Sequence, residues 1–73
     1  MKTFFLTFGR RYRSEQHPSG HPVNPDGWVE ILAPDKYSAR EKAFEVYGSA
    51  WAFLYGPSDF EAKYFPAGRF AKI

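Results

Sequence analysis

Only one stretch of this chain has the periodicity of a helix. In "DKYSAREKAFEVYG", from Asp35 to Gly48, Ala39, Ala43 and Val46 fall at i, i+4 and i+7, and Phe44 and Tyr47 widen the apolar stripe. Asp35 is expected to cap the first turn; Ser38 followed by Glu41 offers an alternative capping box three residues later. Gly48 is a natural stop, because glycine takes the left-handed conformation of a helix end without strain. A helix of about twelve residues is about 18 Å long and about 10 Å across. It covers one face of a sheet of three or four strands, and not all of that face.

The remainder reads as strands and loops. "KTFFLTFG" alternates, with Phe4, Leu6 and Phe8 on one side and Thr3, Phe5 and Thr7 on the other, and Gly9 ends it. "GWVEILA" predicts a second strand from Trp28 to Leu32, closed by Pro34, with Val29 and Ile31 opposite Trp28 and Glu30. "AWAFLYG" is apolar on both faces and bounded by Gly48-Ser49 and Gly56-Pro57, which predicts a buried central strand over Trp51–Tyr55. "PSD" makes a turn. Phe60–Ile73 alternates as Phe60, Ala62, Tyr64 against Glu61, Lys63, Phe65, and "PAG" at Pro66–Gly68 divides it into two short pieces or bends one strand at an edge. The expectation is one α+β domain over residues 1–73: a small three- to four-stranded sheet, one helix on one face, order β-β-α-β-β, and a long loop between the first two strands. The connection over the helix suits a right-handed crossover between parallel strands, and an antiparallel return is equally open.

One helix leaves a face to be covered. If Phe4, Leu6, Phe8, Val29 and Ile31 pack under it, then Phe5, Trp28, one set from Trp51, Phe53 and Tyr55, and Phe65 lie on the opposite face. A 73-residue chain buries only about 60–65% of its unfolded surface, so its core is marginal. It has no cysteine to staple it and compensates with rings: eight Phe, five Tyr and two Trp. Three covers are open for the second face. The segment "RRYRSEQHPSGHPVNP" can fold back as a lid, a second copy can form a homodimer, or the face is a platform for a ligand. Gly9–Asp26 is expected as a surface loop whose ends are structural. Tyr12 and the X-Pro positions near Asn24 should lie against the sheet, and the polar Ser14–Gly20 should be mobile.

Charge and motifs narrow the chemistry. The net charge of +2 is too small to imply nucleic acid, but Lys2, Arg10, Arg11 and Arg13 precede the first acid, so positive charge is local. Arginine forks bind phosphate and Tyr12 can stack on a base, a nucleic-acid contact set without any recognised motif around it; the bland alternative is a solvated strand end. His17 and His21 stand four apart, but Pro18, Gly20 and Pro22 preclude the helix that would aim both at one metal, so no metal is expected. No nucleophile and base can be paired along the chain, no glycine-rich phosphate loop occurs, and Glu30 is a single carboxylate whose ordinary role is a salt bridge to a neighbouring strand. No enzyme activity and no cofactor are expected. "FFLTF" is too short to cross a bilayer, and neither a membrane span nor a signal peptide is predicted.

"LTFG" at Leu6–Gly9, Tyr12, a His-Pro pair, "DGW" at Asp26–Trp28, "AR" at Ala39–Arg40, "WAFLY" at Trp51–Tyr55 and "YFPAG" at Tyr64–Gly68 resemble a group of short proteins encoded by bacteriophages of actinobacteria. The likeness spans nearly the whole chain, and "WAFLY" and "DGW" are its most distinctive parts. That group has no assigned activity, so the resemblance transfers no catalytic or binding residue. It implies a phage accessory protein in the cytoplasm of the bacterial host. The expected mode of action is binding, to a host protein, through the aromatic sheet face and the adjacent basic loop, with Arg10, Arg11, Tyr12, Arg13, Trp28, Trp51 and Tyr55 as contacts. Binding of nucleic acid or a nucleotide through Arg10–Arg13 and the exposed aromatics is the alternative, and a small enzyme using His17 or His21 the third.

Overall fold

The computed structural model describes residues 1–9, 23 and 25–73. Its elements are β1 (Lys2–Thr7), β2 (Gly27–Ala33), α1 (Lys36–Tyr47), β3 (Phe53–Tyr55) and β4 (Gly68–Lys72), with a 3-10 turn at Ala62–Tyr64 between the last two strands. The class is α+β: one helix on a four-stranded mixed sheet of order β3-β1-β2-β4. β1 runs antiparallel to both β2 and β3, and β4 lies parallel to β2. Thus β2, β3 and β4 all point one way and β1 alone points the other. The connection through α1 joins two parallel strands that are not neighbours; β1 occupies the place between them.

The helix forms where its pattern predicts. Asp35 caps it, its carboxylate accepting from the Ser38 N–H at 2.8 Å, so the earlier of the two possible starts is used. These hydrogen bonds to Ser38 hold the Asp35 carboxyl below its ordinary pKa. Gly48 ends the helix at φ 65°, and its N–H donates to the Phe44 carbonyl at 2.9 Å. The buried side is Ala39, Ala43 and Tyr47; Val46 is only half-buried. The two alanines let α1 approach the sheet closely over β1 and β2. Lys42 extends along the helix and donates to the Leu32 carbonyl at 2.7 Å.

Under the helix lie Phe4, Leu6, Phe8, Val29, Ile31, Ala33 and Leu54. Leu6, Val29 and Ile31 are fully buried, each such side chain being worth roughly 1.5–3 kcal/mol. Phe8 meets Tyr47 edge-on, with ring centroids 4.9 Å apart, and burial pushes the Tyr47 phenol above its ordinary pKa. Val23 joins the same core at 1% exposure. The C-terminal end of the Gly9–Asp26 stretch is therefore anchored, as expected of it; the lid placement and the mobility of Ser14–Gly20 lie outside the described residues.

Two strand assignments are corrected. The segment Trp51–Tyr55 is not a central strand: only Phe53–Tyr55 is extended, it sits at the sheet edge beside β1, and Phe53 is 62% exposed. Its apolarity on both faces reflects one buried Leu54 and flanking rings that stay at the surface. Phe60–Tyr64, read as strand from its alternation, is a turn. Hydrogen bonds from Tyr64 N–H to Glu61 O and from Phe65 N–H to Ala62 O coil it, and only Gly68–Lys72 pairs in the sheet.

Candidate functional site

The face of the sheet opposite α1 is built from register. Phe5 on β1 lies between Glu30 on β2 and Tyr55 on β3, and Thr7 pairs with Phe53. Direct partners share a face and residues two apart along a strand do too. Phe5, Trp28, Glu30, Phe53 and Tyr55 therefore form one surface. On its β4 side, Glu30 is held by Arg69 at 3.4 Å and Lys72 at 3.5 Å. It is the interstrand salt bridge that its sequence position suggests.

The centre of this surface is taken by Phe60, from the connection between β3 and β4. Its ring stacks on Phe5 at 4.2 Å with the planes 5° apart. Trp28 meets it edge-on at 5.0 Å, Tyr55 lies 5.8 Å away, and Phe65 stacks on its other side at 5.2 Å. This intramolecular cover was not among the three considered from sequence. It is a partial one, since Phe53 and Tyr64 remain 62% and 68% exposed.

Beside Phe60 opens a cleft of about 400 Å³ lined by Tyr55, Asp59, Phe60, Glu61, Tyr64 and Phe65. Two turns set its walls: Asp59 N–H donates to Gly56 O at 3.2 Å, and the 3-10 turn places Tyr64 and Phe65 across from Phe60. Four rings and two carboxylates thus converge with no cation in the lining. Glu61 is paired with Lys63 at 3.3 Å, and the same ammonium lies 5.2 Å from the centre of the Tyr64 ring.

Of the contact residues expected from sequence, Trp28 and Tyr55 are brought together around Phe60. Trp51 is not with them. Its indole N–H donates to the Gly48 carbonyl at 2.9 Å and its ring lies 5.3 Å from Phe44, so it packs on the end of α1. The reason is that the chain becomes extended only at Phe53; Trp51 is still in the helix-to-strand connection. Arg10, Arg11, Tyr12, Arg13, His17 and His21 lie outside the described residues. Asp59, Phe60, Glu61, Tyr64 and Phe65 were missed as site residues. The available signal was "PSDFEAKYFP", acids alternating with rings between two prolines that leave no room for a long strand.

Among the described residues no group of three or more His, Asp or Glu side chains comes together to hold a metal ion, and no helix is long and apolar enough to cross a membrane. Comparison of the chain with known protein families, with curated proteins and with solved structures returns no match.

Proposed function

We propose that this chain is a non-enzymatic accessory protein of the actinobacteriophage kind, acting in the host cytoplasm by binding a host protein through the face opposite α1. The observation that carries this reading is the half-covered aromatic surface, where Phe53 and Tyr64 stand exposed around the ring cluster of Phe5, Trp28, Tyr55, Phe60 and Phe65. Aromatic anchors in partly desolvated settings are what protein interfaces favour, and an exposed apolar surface beside polar residues is the usual mark of a contact site. The basic Arg10–Arg13 segment supplies arginines to the same reading.

The test is capture from an actinobacterial lysate by the tagged chain, with and without nuclease, beside the Phe53→Asp variant. Phe53 is exposed at a sheet edge, so the variant should melt within a few degrees of the parent. A host protein that survives nuclease and is lost with Phe53→Asp supports the proposal. Capture that disappears with nuclease, and weakens when Arg10, Arg11 and Arg13 are replaced by Ala, supports nucleic-acid binding instead.

A further inference from the structure

We propose that the cleft beside Phe60 receives the guanidinium group of an arginine carried by the partner protein. This deepens, and rests on, the protein-binding reading above. The cleft has the size range of small-ligand sites, about 300–1,000 Å³, and its chemistry points to a cation. Its lining offers ring surface from Tyr55, Tyr64 and Phe65 and negative charge from Asp59 and Glu61, while Phe60 is already stacked between Phe5 and Phe65. A cation over a ring face is attracted by the ring quadrupole, and a carboxylate at the rim adds a charge-assisted hydrogen bond. An anionic ligand, a phosphate of nucleic acid included, meets two like charges at the same place.

The protein already carries out this chemistry on itself. Lys63 sits 3.3 Å from Glu61 and 5.2 Å from the Tyr64 ring centre, occupying one ring and one carboxylate of the cleft from outside its lining. Asp59 takes part in none of the ion pairs among the described residues. That leaves one carboxylate and two rings, Tyr55 and Phe65, for an incoming group, with Lys63 as a displaceable competitor for Glu61 and Tyr64.

Geometry favours arginine over lysine. The cleft is walled by flat rings, those of Tyr55 and Tyr64 and the side of Phe65 turned away from Phe60, rather than by a spherical cage. A guanidinium is planar, weakly hydrated and able to stack while its fork reaches carboxylates on either side; an ammonium is compact and strongly hydrated.

The experiment is an NMR titration of the full chain with N-acetyl-arginine amide and with N-acetyl-citrulline amide, which has nearly the same shape and no charge. The arginine probe should shift the Tyr55 and Tyr64 ring signals saturably, and the citrulline probe should bind at least about fivefold more weakly. Asp59→Asn with Glu61→Gln, two exposed positions whose change should leave the melting point nearly unaltered, should weaken the arginine probe by a similar factor. Lys63→Ala should tighten it about twofold or more by removing the competitor. Equal binding of the two probes, shifts confined to other parts of the chain, or no tightening in Lys63→Ala overturns the inference. A chain that captures its host protein but ignores the arginine probe refutes the cleft assignment alone. A chain that binds arginine in the cleft but captures no host protein refutes the protein-binding reading and leaves the cation site standing.

Discussion

Phe60→Ala isolates the contribution of the ring that closes the second face. Removing a fully buried phenylalanine costs about 3–5 kcal/mol. Phe60 is half-buried, but it touches four rings, with the Phe5 stack at 4.2 Å the closest. About half the full value, near 2 kcal/mol, is therefore expected. A domain of this length has a total stability of roughly 4–11 kcal/mol. The melting point should fall by about 8–16 °C, at about 4–8 °C per kcal/mol. Phe60→Leu keeps most of the apolar contact and loses the ring geometry, so it should cost about 0.5–1.5 kcal/mol. Tyr64→Ala, at a ring 68% exposed, should cost less than about 0.5 kcal/mol. The assay is thermal and urea unfolding followed by circular dichroism. If Phe60→Ala loses less than about 0.5 kcal/mol, the ring does not hold the second face and the packing argument fails.

Three other perturbations address the rest of the fold. Ala43→Asp should destabilise by roughly 3 kcal/mol or more, because it drives a charge between α1 and the sheet, while Glu45→Ala on the exposed side should change little; equal melting points would put the wrong face of the helix inward. Gly27→Ala should cost about 1–3 kcal/mol, since a methyl there overlaps the Gly68 carbonyl oxygen and comes within 2.9 Å of the Phe70 ring; an unchanged urea midpoint would show that β2 and β4 can separate at no cost. Asp35→Ala should lower the melting point at neutral pH. The folded carboxyl has a depressed pKa, so its contribution is present above the unfolded value of about 3.9 and is lost as pH falls through the lower folded value. The gap between parent and variant should close in acid, and a gap independent of pH would mean that the cap acts without its charge.

What could be read from the residues was what local pattern encodes. β1 and β2 alternate cleanly because one side of each is buried against Ala39 and Ala43, and the helix ends are marked by Asp35 and Gly48. The second face was legible as a problem, one helix being too narrow for two aromatic faces, but its cover was not. Phe60, Ala62 and Tyr64 recur with a period of two, yet the chain coils there: the Tyr64 and Phe65 N–H groups bond back to Glu61 and Ala62, and Phe60 stacks on Phe5. Trp51 was misplaced for a related reason. A run that is apolar on both faces reads the same whether it is buried in a sheet or stitched along its edge. Strand order was not legible at all, since placing β1 between β2 and β3 depends on pairings that no local window contains.

Among the described residues the sheet has no tight hairpin. Lys2 pairs with Ala33, Phe5 with Tyr55 and Gly27 with Gly68, so every ladder closes a long stretch of chain before it returns any energy. Architectures dominated by such distant pairings fold in roughly milliseconds to seconds, slowly for their size. A chain in which β1 and β2 had met before β3 and β4 would have two open edges and two apolar faces, with only α1 to shield one of them. Such a species self-associates readily. Recovery of native protein from denaturant should therefore fall as chain concentration rises, a kinetic vulnerability that the stability of the finished fold does not reveal.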